Sequence, residues 1–149
     1  MTDDERGLMM LEKSIYEAQA MLEKKQLFNP FALLLDTEGN MERLENGIEN
    51  ARDSYLALSE EIKLCAEEKP IDIVVLLSDV SLPENMGEAG VESGIRVHLE
   101  ERSQQHKKIA GRYIYVPYQL QRLAGKEEIQ VKLFTPSAVS FPSEFLKEN

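Results

Sequence analysis

The sequence predicts an α+β fold: one mostly antiparallel sheet of five to six strands and two long helices, in the order α-β-β-α-β-β-β-β. Two segments carry apolar residues at helical spacings of three and four. The segment from Ile71 to Val80 comes after the second of these and directly follows Pro70. It is rich in β-branched residues and is apolar on both alternating sides. This pattern is typical of a strand buried on both faces. Shorter alternating segments before and after it predict the remaining strands.

Composition favours a single acidic domain spanning residues 1–149. The net charge of −10 disfavours nucleic acid and anionic membranes, whose recognition needs clustered Lys and Arg, and it would suit a basic partner. Cys65 is the one cysteine, so an intramolecular disulfide is excluded. The segment Met1 to Arg6 has no apolar signal core, and no apolar run is long enough for a membrane span. We therefore expect a cytoplasmic protein.

The first helix is predicted from Asp3 to Lys25, with Thr2 and Glu5 at the spacing of a capping box. Its expected buried stripe is Leu8, Leu11, Ile15, Ala18 and Leu22. After Pro30, two strands are expected, from Phe31 to Asp36 and from Met41 to Leu44, joined by a turn at Gly39.

The second helix is predicted from Gly47 to Glu68, with an acidic outer surface that is either solvated or a docking surface for a basic partner. Its apolar stripe is Ile48, Ala51, Tyr55, Leu58, Ile62 and Cys65. Between the central strand and the next one, the glycine-rich loop from Ser81 to Gly94 is either functional or disordered.

A hairpin is expected after this loop. In the strand from Ile95 to Arg102, Ile95, Val97 and Leu99 face inward, while Arg96, His98 and Glu100 face solvent. A three-residue turn at 103–105 would pair Leu99 with Ile109, Ile95 with Tyr113 and Glu100 with Lys108. A last strand follows from Ile129 to Thr135, and the chain after it is expected to pack through Phe141, Phe145 and Leu146.

One packing hypothesis concerns the sheet face opposite Leu33 and Val75. If both helices cover the other face, this face is a larger apolar patch than monomers usually expose. A homodimer closed sheet to sheet would bury it; the alternative is that one helix or the C-terminal residues cover it. The residues expected at this interface are Leu34, Val74, Leu76, Ile114 and Val116.

No motif for nucleophilic catalysis, phosphate binding or zinc is found, so we expect no metal and no cofactor. The candidate binding residues, near the 81–94 loop, are Asp79, His98, Glu100 and Arg112, with Tyr113, Tyr115 and Tyr118 as an aromatic wall. The competing interpretation is structural: Asp79 ends a strand, Glu100 pairs across the hairpin, and the tyrosines pack.

The order of elements is similar to that of profilin-like and roadblock-like sandwiches. The pattern Phe28-Asn29-Pro30-Phe31, Asp36, Gly39 and Ile95 to Glu100 also resembles a group of small uncharacterised bacterial α+β proteins. Neither resemblance implies an activity. The leading hypothesis is a non-catalytic interaction module that self-associates or binds a basic protein, as an immunity or inhibitor protein would. The alternative is a small-ligand-binding protein or hydrolase.

Overall fold

The computed structural model describes residues 1–87, 90–122, 124–125 and 127–147. Two helices, α1 (Asp3–Lys25) and α2 (Ala51–Glu68), accompany a single sheet. The strands are β1 (Phe31–Asp36), β2 (Met41–Leu44), β3 (Ile71–Ser81), β4 (Ser93–Glu101), β5 (Gly111–Arg122), β6 (Ile129–Leu133) and β7 (Ser137–Phe141). The predicted fold class and the order of elements are confirmed, and β7 continues that order by one short strand. Neither helix of the described residues is long and apolar enough to cross a membrane.

The sheet is antiparallel throughout, in the order β2-β1-β3-β4-β5-β6, and β7 also pairs with β5. β6 and β7 follow each other along the same edge of β5: Leu133 pairs with Tyr118, and Ser137 with Tyr115. Pro117, between those two partners, has no N–H to donate, and its carbonyl accepts from the Phe134 N–H at 2.9 Å. The two strands are therefore one edge strand, interrupted opposite a proline.

The two helices lie on opposite faces of the sheet, with β3 at its centre. We call these the α1 face and the α2 face. Val75 and Leu77 pack on the α1 face, Val74 and Leu76 pack on the α2 face, and all four are fully buried. The prediction that the central strand is buried on both sides is thus confirmed, and the chain itself supplies the cover on each side.

The predicted buried stripe of α1 is confirmed at Ala18 and Leu22, but in the first half of the helix the buried positions are shifted by one residue. The buried positions are Gly7, Met10, Ser14, Ala18 and Leu22. Leu8, expected to be buried, is 54% exposed. A Cβ at Gly7 would lie 3.0 Å from the Glu101 carboxyl group. The absence of a side chain at residue 7 therefore lets the helix approach β4 closely. Helix α2 also differs from the prediction: it starts at Ala51 rather than Gly47, with Asn50 as its N-cap.

The predicted register of the β4–β5 hairpin is wrong. Leu99 pairs with Arg112 instead of Ile109, and Ile95 with Val116 instead of Tyr113. The connection is longer than a three-residue turn because a 3₁₀ turn at Arg102–Gln104 and the residues up to 110 precede β5. A shift by three residues is odd, and an odd shift moves every side chain of the strand to the other face.

The predicted dimer interface is not a surface, and the register error accounts for only part of this difference. Ile114 and Val116 belong to the α1-face core, whereas Leu34, Val74 and Leu76 belong to the α2-face core. All five residues are buried, at 7% exposure or less. The apolar sheet face from which a sheet-to-sheet homodimer was predicted is therefore covered by α2 and by Phe145 and Leu146 from the same chain.

Candidate functional site

The four predicted binding residues do not converge on one site. Asp79 pairs with Ile95 and Glu100 with Val74, five positions apart along β3, or about 17 Å. Arg112 pairs with Leu99, a residue of the α1-face core, and so points away from His98 and Glu100. Of the four, the structure brings only His98 and Glu100 into contact.

His98 and Glu100 form a buried pair on the α2 face, contrary to the prediction that they face solvent. The His98 Nε2 and Glu100 Oε2 atoms are 2.6 Å apart, and both side chains are almost fully inaccessible. Phe145 and Leu146 donate their backbone N–H groups to Glu100 Oε1 at 3.0 and 2.9 Å. The Glu144 N–H donates to Oε2 at 2.9 Å. The carboxylate thus fastens residues 144–146 to the sheet.

Aromatic rings enclose the His98 imidazole on the α2 face. Its ring centroid lies 5.1 Å from that of Tyr113, 5.0 Å from that of Phe141 and 4.8 Å from that of Phe145. Burial raises the pKa of the Glu100 carboxyl, but the hydrogen bonds from His98 and from the backbone of Leu146 and Glu144 outweigh it and hold this pKa below its usual value. The pair is therefore a structural fastening, and the C-terminal residues separate it from solvent.

We expect Glu100 to make the free energy of unfolding decrease at acidic pH. Because its pKa is lower in the folded state, the unfolded chain binds more protons, and the contribution of Glu100 is present above the ordinary Glu pKa of about 4.3 and is lost as the pH falls below it. Urea denaturation from about pH 5.5 to about pH 3.5 should give a steeper loss of unfolding free energy for the native chain than for Glu100→Gln. Exposed Glu92→Gln is the control and should follow the native chain. Parallel profiles for the native chain and Glu100→Gln would contradict the expectation.

Asp79 and Arg112 are each engaged elsewhere. The Tyr118 hydroxyl donates to Asp79 Oδ1 at 2.6 Å. Burial raises the pKa of Asp79, and the hydrogen bond from Tyr118 only partly offsets that effect. Arg112 forms an ion pair with Glu101 on the α1 side. Arg112 is therefore not placed at the binding site predicted near the 81–94 loop.

Two concave regions lie near the predicted site. A depression of about 390 Å³ follows the β3–β4 loop and is lined by that loop alone, without the expected wall of Tyr113, Tyr115 and Tyr118. Glu88 and Ala89 of this loop lie outside the described residues. A larger cleft, of about 460 Å³, lies at the Asp79 end of the sheet, where residues 27–30, the start of α2 and the end of β3 meet Arg96.

Strand β7 is a surface feature that the sequence reasoning missed. Ser137 to Ser140 are exposed, and Phe141 is half-buried against Tyr113, at a centroid distance of 4.1 Å. In the described residues β7 pairs with β5 alone, so its other side is an open sheet edge. The sequence signal for this strand is the uncharged segment between Pro136 and Pro142.

Among the described residues, no three His, Cys, Asp or Glu side chains are grouped closely enough to hold a metal ion. No protein-family model matches the chain, and no curated protein and no solved structure is significantly similar to it.

Proposed function

We propose that this protein is a non-catalytic, cytoplasmic interaction module that self-associates through the open edge of β7. The observation that carries the proposal is the contrast between β7 and β2, which lie at opposite edges of the sheet. At the other edge, β2 carries Glu42 and Arg43, which pair with Lys69 and Glu17. Charged side chains at an edge are a usual protection against strand pairing, and β7 has none.

The β7 segment is complementary to itself. In an antiparallel pair of two copies centred on Val139, Val139 meets its own copy, Ala138 meets Ser140, and Ser137 meets Phe141. No like charges are opposed, although each chain carries a net charge of −10. Val139 and Phe141 are in register with Tyr113 and Gly111, so they extend the α2 face of the sheet into the partner.

This contact is small, and its size sets the expected affinity. A five-residue edge buries less than the roughly 1,200 Å² of a stable interface, so we expect a weak dimer with a dissociation constant on the order of 10–1,000 µM. The edge needs no basic partner, because β7 is uncharged. The acidic residues of α2 that would meet such a partner are exposed, and binding of a basic protein stays a prediction. The free, half-buried thiol of Cys65 is compatible with the cytoplasm.

Replacing Val139 by Lys should abolish self-association, because the two-fold axis places the two new charges opposite each other. Sedimentation velocity from about 10 µM to about 1 mM should show the native chain shifting from 17.0 kDa toward twice that mass. Val139→Lys and Val139→Glu should each stay monomeric, while their equimolar mixture should associate. Ile109→Lys, at a more exposed apolar site outside β7, should dimerise as the native chain does. A native chain that stays at 17.0 kDa throughout would refute the proposal.

A further inference from the structure

The cleft at the Asp79 end of the sheet contains a guanidinium group with no acidic partner. Arg96 forms no ion pair with any of the described residues, and its buried Nε has no hydrogen-bond partner among them. Its Cζ lies 5.1 Å from the ring centroid of Tyr55 and 4.6 Å from that of Tyr113. The two rings hold the guanidinium in place, and such a planar, fixed group is suited to binding a carboxylate through two parallel hydrogen bonds.

We propose that this cleft binds a small organic monocarboxylate, with its carboxylate on Arg96 and its apolar body on the wall formed by residues 27–30. The cleft volume of about 460 Å³ is in the usual range for small-ligand sites. Most of the lining surface is apolar, and Leu27, Phe28, Pro30 and Val80 contribute to it. This apolar lining favours a ligand with an apolar body over an inorganic anion.

A second polar group points to the same ligand. Ser78 pairs with Arg96 in the β3–β4 register, so their side chains lie next to each other on the α2 face. Ser78 is only 7% exposed, it lines the cleft, and its Oγ has no hydrogen-bond partner among the described residues. Buried hydroxyl groups usually have a partner, and a ligand carboxylate at Arg96 would supply one after a small rotation of the serine side chain.

The start of α2 adds positive potential at the cleft. Arg52 lies in the first turn and lines the site. Asn50 Oδ1 accepts only the Asp53 N–H, so the first two amides of the helix are left without an intrahelical acceptor. Two acids, Glu49 and Asp79, also line the cleft. Their negative charges disfavour a ligand with more than one negative charge, such as a phosphate ester or a dicarboxylate.

Asp79 does not neutralise Arg96. Its carboxyl accepts from the Tyr118 hydroxyl, on the α1 side of β3. Glu49, in the connection before α2, is exposed to solvent. Neither acid neutralises the positive charge of Arg96, so this charge can bind a ligand carboxylate.

The test is a titration of the full chain with benzoate and hexanoate, followed by ¹H–¹⁵N NMR, with benzamide and sulfate as probes that lack the charge or the apolar body. We expect both carboxylates to bind with a dissociation constant on the order of 1 mM. Their shifts should be confined to residues around Arg96, Ser78 and the start of α2. Shifts elsewhere, equal binding of benzamide or sulfate, or no saturable binding would each overturn the proposal.

Arg96→Gln should weaken benzoate binding about tenfold or more, because the charge-assisted hydrogen bonds are lost. Arg102→Gln, at an exposed arginine outside the cleft, is the matched control and should bind as the native chain does. Undiminished binding by a folded Arg96→Gln variant would also overturn the proposal. If that variant does not fold, Arg96→Lys, which keeps the charge but not the planar fork, takes its place and should weaken binding by a smaller factor; binding equal to that of the native chain would count against the site.

Discussion

Replacing Glu100 by Ala is expected to lower the free energy of unfolding by about 3–5 kcal/mol, the usual cost of removing one partner of a buried ionic group. Four hydrogen bonds end on this carboxylate, one from His98 and three from the backbone of residues 144–146. Without it, three buried or part-buried amides lose their acceptor, and each unpaired group has its own cost. Because a domain of this size is stable by only about 5–15 kcal/mol, the loss is a large share of the total.

Urea denaturation measures this effect, with exposed Glu92→Ala as the matched control, expected to stay within about 0.5 kcal/mol of the native chain. Glu100→Gln should cost less than Glu100→Ala, because the amide oxygen still accepts two of the bonds. Hydrogen exchange gives a local readout: the amides of Glu144, Phe145 and Leu146 should lose protection in Glu100→Ala. Retained protection, or a cost below about 1 kcal/mol, would show that the carboxylate does not hold this segment.

Leu76→Ala should cost about 2–5 kcal/mol, the range measured for cavities left by a leucine in a packed core. Leu76 is fully buried on the α2 face, in the same cluster as Leu58 and Ile62 of α2. The sequence hypothesis placed it at a dimer interface, where the same change would instead alter the oligomeric state. The two interpretations therefore predict different measurements for one variant.

Leu64→Ala is the matched control, since this leucine lies on the outer side of α2 and is 57% exposed. It should change the unfolding free energy by less than about 0.5 kcal/mol. The sedimentation behaviour of folded Leu76→Ala should equal that of the native chain at every concentration. If Leu76→Ala were as stable as the native chain but altered in self-association, the hypothesis that Leu76 lies at a dimer interface would be supported instead.

The central strand and the start of α1 could be predicted because their signals are local. Val74, Val75, Leu76 and Leu77 are buried on alternating sides, as their apolar run indicates. The capping box is also present in part, as the Glu5 N–H donates to Thr2 Oγ1 at 3.1 Å. Such features depend on neighbours two to four residues away, and residue preferences at those distances are strong.

The hairpin register could not be predicted in the same way. Alternation shows which residues of β5 share a face, but not which of the two faces it is. The length of the connection decides that, and the 3₁₀ turn at 102–104 carries no strong sequence signal. One wrong turn length therefore placed Ile114 and Val116 on the wrong side of the sheet.

Among the candidate site residues, His98 and Glu100 were predicted to face solvent at a binding site. In the structure they form a hydrogen-bonded pair inside the protein. Their partners are the backbone amides of residues 144–146, which lie 44 to 46 residues further along the chain. Backbone amides have no side-chain signature, so no spacing rule could reveal this contact. Arg96 was treated as a solvent-facing residue of the strand for a related reason: the rings that hold it come from α2 and from β5.

The same separation constrains the order of events during synthesis. Ribosomes add about 5–20 residues per second, so Glu100 precedes its nearest backbone partner, 44 residues later, by about 2–9 s. Throughout that interval the negative charge of Glu100, near the end of β4, is best solvated by water, which disfavours closure of the α2 side over the nascent sheet. We therefore expect the α2 face to fold only after residue 144 has been synthesised. On a ribosome paused before residue 144, the α2 face of the nascent chain would be accessible to proteases and chaperones.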